Sequence, residues 1–249
     1  MSRIHFIGGE KGGVGKSVLS RLLAQYHIDR DLPFRAFDTD RSHGAMLRFY
    51  GDYSSPIVLD DFSSADQLME AAVERQQDVL VDLAAQTSVP LFKWMDENDL
   101  LGLAADEGVG VSLWHVLDDG ADSIALLSRL FDRFGEVAGY VVVKNLGRGK
   151  DFSAFEASAA RATAETLGAP VIELPELNGP TMRKVDHHDL SFWAAGNNKQ
   201  SGLGLMERQR VKVWMRKAYG QFDALGESLF CQSVADTVPT EPEAVEPEA

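Results

Sequence analysis

Short apolar runs rich in β-branched and aromatic side chains recur along the chain at 4–7, 34–37, 57–59, 79–81, 110–116, 139–143 and 171–174. Between them lie longer stretches, 16–30, 64–76, 88–104, 120–134, 151–167 and 205–229, whose apolar residues return every three or four positions. Such alternation predicts βα units, and hence an α/β fold with a mostly parallel, twisted sheet flanked by helices. No internal repeat and no second boundary interrupts the pattern before residue 236, so 1–235 reads as one domain.

The last 14 residues break the pattern. DTVPTEPEAVEPEA, 236–249, holds five acids, three prolines and no base. It has too little apolar surface to offset the entropy of ordering it, so a disordered acidic tail is expected. The rest is ordinary globular composition: 249 residues in all, 45% hydrophobic and 25% charged. A formal net charge of −14 excludes a uniformly basic nucleic-acid binder. Five of those charges belong to the tail, however, and ERQRVKVWMRK, 207–217, carries five bases against one acid. Charge is segregated along the chain. With one cysteine, Cys231, and no uncharged apolar run near the ~20 residues of a membrane span, a cytoplasmic location is expected.

The most specific chemistry follows the first strand, where GGEKGGVGKS, 8–17, leads into a helical run. A glycine-rich loop between a strand and a helix N-terminus cradles phosphates. Gly12, Gly13 and Gly15 let successive backbone N–H groups turn inward, and the helix end adds positive potential. Lys16 is placed to reach the β- and γ-phosphates and Ser17 to ligate Mg²⁺, while Val14 and Val18 complete the nucleotide-binding stretch. A general phosphate loop has glycine where this chain has Glu10, followed by Lys11.

The form K-G-G-V-G-K-S resembles the deviant phosphate loop of the ParA/MinD family of dimerising ATPases, P-loop NTPases of SIMIBI-like fold. The resemblance implies that Lys11 reaches across an ATP-dependent homodimer to the partner's nucleotide, where a second cation stabilises the charge of phosphoryl transfer. FRAFDTD, 34–40, resembles the family's D-x-D switch segment, although Arg41-Ser42-His43 follows where Pro-Gln is common. By that resemblance Asp40 orients or deprotonates the attacking water and Asp38 supports Mg²⁺. DVLVD, 78–82, looks like a Walker B strand, which assigns Asp82 to Mg²⁺ through water. Its continuation, with Ala85, Val89, Pro90 and Leu91, is similar to the D-x-x-A-x-x-x-V-P-L segment of conjugal-transfer ATPases of the TraL type. Asn145 ends the 139–143 strand where this superfamily commonly contacts adenine, with a simple turn residue as the alternative; no guanine-specific motif is apparent, which favours ATP.

His115, His187 and His188 share no metal-ligand spacing, and KVDHHDL, 184–190, reads as a polar surface or lid segment. No G-x-S-x-G elbow supports covalent catalysis. Val211, Trp214, Ala218, Phe222, Leu225 and Leu229 form one apolar stripe expected to dock on the sheet. Arg208, Arg210, Lys212, Arg216 and Lys217 remain as candidate contacts to nonspecific DNA. No membrane role is expected, because anionic lipid repels the acidic tail. Together these features lead us to expect a slow Mg·ATP-dependent dimerising ATPase switch with an activating partner protein, acting in plasmid partition, conjugal transfer or cargo positioning. The alternatives are a nucleotide-dependent scaffold with negligible hydrolysis and a metabolic kinase or ligase that shares the loop.

Overall fold

In each central strand successive side chains enter opposite layers, and both layers are apolar. Val79 and Val81 join one core while Leu80 joins the other, and Val142 is separated in the same way from Val141 and Val143. Two-sided burial of this kind is what a parallel sheet requires. The computed structural model describes residues 1–40, 44–226 and 229–231. The expected tail at 236–249 and the Arg41-Ser42-His43 departure lie outside the described residues.

Among the described residues seven strands form the sheet: β1 (Arg3–Gly8), β2 (Phe34–Asp38), β3 (Ser54–Pro56), β4 (Asp78–Asp82), β5 (Gly110–Leu117), β6 (Gly139–Asn145) and β7 (Val171–Leu174). Their order is β3-β2-β4-β1-β5-β6-β7, and every pair is parallel. All strand C-termini therefore share one edge. One helical layer contains α1 (Lys16–Asp29), α2 (Ala45–Phe49), α10 (Gly179–His187), α11 (Phe192–Asn197) and α12 (Leu205–Asp223). The other contains α3 (Phe62–Ala65), α4 (Gln67–Glu74), α5 (Ser88–Glu97), α6 (Leu100–Asp106), α7 (Ala121–Phe134), α8 (Ser153–Glu156) and α9 (Ala159–Thr166). Among the described residues no helix is long and apolar enough to cross a membrane.

Several expected boundaries move, for local reasons. The 57–59 strand is replaced by β3 at 54–56. Ile57 and Leu59 are buried, but the Val58 N–H is held by Ser64 Oγ instead of a neighbouring strand, so the apolar signal marked burial and not a ladder. The 64–76 helix begins earlier, capped by Asp61, and divides at Asp66. The 88–104 helix breaks before Asp99, which adopts φ 44°. The 151–167 helix breaks where Ser158 accepts a bond from the Arg161 N–H and caps α9. The C-terminal helix stops at Asp223, not 229, and α2, α10 and α11 were not expected.

At the edge where the strands begin, Asp78 is fully buried. It accepts bonds from His27 Nε2 (3.1 Å) and from the backbone N–H of Cys231 (2.8 Å). His27 Nδ1 meets the Leu23 carbonyl at 2.8 Å, so both ring nitrogens are engaged. Burial opposes ionisation of Asp78, but the bond from His27 and the His5 ring 3.8 Å away outweigh it and hold its pKa below the usual carboxylate range. Phe230 packs its ring against His5, Tyr26, His27 and Trp114, which closes this end of the molecule.

Candidate functional site

The central strand β1 lies between β4 and β5, so its exit sits where strand order reverses, the position at which open parallel sheets bind ligands. The loop from β1 to α1 turns through positive φ at Gly9 (132°), Gly13 (79°) and Gly15 (105°). Gly9 thus supplies freedom that the sequence lacks at Glu10. Beside Gly12 and Gly13 a Cβ would meet nothing within 4 Å, which leaves an open concavity over the helix N-terminus. Gly15 differs: a Cβ there would stand 2.2 Å from Asn145 Nδ2.

Lys16 is buried and its ammonium donates to the Lys11 carbonyl at 3.1 Å, spanning the loop. Burial lowers its pKa, with Asp82 opposing. The Lys11 ammonium lies 2.7 Å from Asp118, at the exit of β5, and this bond raises its pKa. Asp118 also accepts from the Gly120 N–H and the Ser123 hydroxyl, which fix its carboxylate. Sequence reasoning missed Asp118, although an Asp-Asp-Gly turn at a strand exit was the available signal.

Asp38 and Asp82 occupy corresponding positions at the ends of β2 and β4 and are both buried. Burial, and then the charge of Asp38, pushes Asp82 up to about 7, against bonds from Ser17 and Ser20. Ser20 Oγ is 3.0 Å from Asp82. Asp38 is also raised by burial, and its two oxygens accept the N–H groups of Asp40 (2.9 Å) and Met46 (2.8 Å). It therefore organises the chain on both sides of 41–43 besides facing Asp82. Asp40 is half-buried directly beyond it. Two carboxylates and the Ser17 hydroxyl form an all-oxygen donor set of the kind Mg²⁺ takes, and a cation there would offset the repulsion that raises Asp82. Thr39, also missed from sequence, accepts the Ala84 N–H and donates to the Asp82 carbonyl, joining the two strand exits.

Asn145 is buried. Its Nδ2 donates to the Val14 carbonyl at 2.6 Å and its Oδ1 accepts the Gly147 N–H at 3.0 Å, which braces the phosphate loop against β6. Val14 is buried, whereas Val18 is partly buried against the same core. On α12 the expected apolar stripe docks, with Val211, Trp214, Ala218 and Phe222 buried. Arg208, Lys212 and Arg216 follow four-residue steps along one flank of that face, and Arg210 and Lys217 follow the other. Arg208 donates to the Leu203 carbonyl; the remaining four bases are exposed.

The chain has the fold of MinD, a parallel sheet with a phosphate loop at the exit of its central strand. The cell-division protein MinD of Aquifex aeolicus superposes with a TM-score of 0.51 at 13% identity, covering 88% of this chain and 98% of that one. In sequence the chain is similar to Protein TraL of Escherichia coli, 27% identical over 240 residues that cover 90% of this chain and 98% of the relative. It is also similar to Protein MobD of Acidithiobacillus ferrooxidans, 27% identical over 177 residues, 70% of this chain and 78% of that one. No family model matches the chain.

Proposed function

We propose that this chain is a cytoplasmic Mg·ATP-dependent dimerising ATPase that switches a conjugal-transfer or partition process with the help of an activating partner protein. The observation that carries the reading is the pairing of a glycine cradle and buried Lys16 with the Asp38, Asp82 and Ser17 oxygens at the same strand exits. The likeness to TraL and MobD supports the process.

In this reading the N–H groups of Gly12, Gly13, Val14, Gly15, Lys16 and Ser17 hold phosphate oxygens, and Lys16 neutralises the β- and γ-phosphates. Ser17, Asp38 and Asp82 hold Mg²⁺, the last two through its water shell. Bound Mg·ATP supplies the transferable phosphoryl group. Asp40 orients the attacking water. Lys11 leaves Asp118 to meet the nucleotide of a second copy, so the ion pair at 2.7 Å is the resting position of a switch. Asn145 keeps one amide proton for adenine while the other holds Val14. The exposed bases of α12 supply contacts to nonspecific DNA phosphates.

Steady-state phosphate release by wild type, Lys11→Ala, Asp40→Ala and Lys16→Ala tests the reading. Lys11→Ala and Asp40→Ala should each lower turnover by about 100-fold, the scale of losing one transition-state contact. Light scattering should find a dimer with Mg·ATP and a monomer with ADP. Wild-type turnover no higher than that of Lys16→Ala would overturn the ATPase reading, and a dimer that persists in that result would favour the scaffold.

A further inference from the structure

Behind the phosphate loop, on the face away from α1, helices α5 and α7 stand apart and leave a cavity of about 300 Å³. Leu91 and Phe92 of α5, Leu113 of β5, and Leu126 and Leu130 of α7 line it. This volume lies at the lower end of what small organic ligands occupy, about 300–1,000 Å³, and is too small for a helix. The lining is largely apolar; its charged members are Glu10, which accepts the Ser88 hydroxyl at the phosphate-loop end, and two cations one helical turn apart on α7, Arg129 and Arg133. Arg133 is already neutralised: it pairs with Asp96 and stacks over Phe92 with its guanidinium carbon 4.7 Å from the ring centre. Arg129 is exposed, and among the described residues no carboxylate pairs with it. His115 also lines the cavity. Its Nε2 donates to the Ser123 carbonyl at 3.0 Å and burial keeps the ring neutral, so it adds no charge to the rim.

At its Arg129 end, where no carboxylate pairs with the exposed cation, the apolar cavity is complementary to an apolar body that ends in one negative charge. We infer that the α5–α7 cavity binds a small amphipathic organic anion, an alkyl or aryl carboxylate, with its apolar part among Leu91, Leu113 and Leu130 and its charge on Arg129. The cavity's inner wall includes Gly8, Gly9 and Glu10, the first turn of the phosphate loop, and Ala84 and Thr87, which follow Asp82. Glu10 is itself bonded to Ser88 at the start of α5. A ligand seated there touches both segments that support the nucleotide, so it is an effector site. That coupling rests on the nucleotide reading above; binding of the anion does not.

Fluorescence titration of the full chain without nucleotide, using 1-anilinonaphthalene-8-sulfonate as probe and dodecanoate as competitor, tests the site. One saturable site displaced by dodecanoate is expected. Arg129→Glu should weaken it by about tenfold, the effect of removing one charge-assisted bond, while Arg129→Lys retains it. Leu130→Trp, which fills the cavity, should abolish it; should that variant not fold, the surface pair at Arg129 decides alone. The proposal is overturned if wild type shows no saturable site, or if Arg129→Glu binds the probe as tightly as wild type. With a fluorescent ATP analogue, saturating dodecanoate should change nucleotide affinity by about threefold. An affinity that dodecanoate leaves unmoved removes the effector role, whereas failure to bind nucleotide at all fails the earlier reading instead.

Discussion

Gly15 is the position at which a single methyl group does the most damage. Its φ of 105° disfavours any side chain, and the Cβ of alanine would lie 2.2 Å from an Asn145 amide already fixed by Val14 and Gly147. Gly15→Ala should cost about 1–3 kcal/mol in stability from backbone strain, by chemical denaturation, and weaken ATP binding by more than its effect on folding predicts. A second residue-scale effect is acid sensitivity. Burial, helped by Lys16 and opposed by Glu10, pushes His115 down to about 4, below its unfolded value near 6.5. The unfolded chain therefore binds the extra proton first. This contribution is intact above pH 6.5 and is lost as pH falls towards 4, about 2 kcal/mol of it by pH 5. Denaturation curves for His115→Gln should fall correspondingly less between pH 7.5 and 5; equal slopes for both proteins would exclude this source. The placement of Lys16, Ser17 and Asp82 at the strand exits was legible in the sequence because each sits at a fixed spacing from its own strand. Asp118 and the bracing role of Asn145 were not, since each depends on a neighbour more than 100 residues away in the chain.

At the scale of elements, α1 is held less by an amphipathic face than by burial on nearly every side. Arg21 on this helix is sandwiched between Phe49, with its guanidinium carbon 3.5 Å from the ring centre, and Phe192 at 4.5 Å. It pairs with Asp186 of α10 at 2.8 Å, and its Nε and second terminal nitrogen are buried without hydrogen-bond partners among the described residues. That geometry joins α1, α2 and α10. Asp186→Ala should strand the cation and cost about 2 kcal/mol, below the range for a fully buried pair because Asp186 is half-exposed. Adding Arg21→Met should recover most of that cost, and a double variant no more stable than Asp186→Ala would reject the pairing as the cause. The helices expected over 16–30, 120–134 and 205–229 were readable because period 2 and period 3.6 differ over eight or more residues, whereas those over 64–76, 88–104 and 151–167 each break in two at local caps that the period does not show. The helices α2, α10 and α11 were not readable, because α2 and α11 are too short to carry a period and the start signals of α10 and α11, Asn178 and Ser191, only acquire meaning from the contacts that follow.

For the whole molecule, the net charge of −14 hides a division of surfaces. Docking of α12 leaves Lys212 and Arg216 on one flank and Arg210 and Lys217 on the other. Reversing Lys212 and Arg216 to Glu should lower the slope of log affinity for DNA against log salt by about two, since each neutralised phosphate contributes about one unit. An unchanged slope would assign DNA binding to the other flank, and no binding at low salt would remove it. All seven strands point their C-termini at the phosphate-loop edge. The opposite edge gathers Asp78, Phe230 and Cys231, with the chain's own amino group close to the Cys231 thiol. The first and last described residues are thus neighbours at the edge of the sheet away from the phosphate loop. For the same reason, a reporter fused at the amino end emerges from the floor of the sheet and leaves the ceiling, where a second copy would sit, unobstructed.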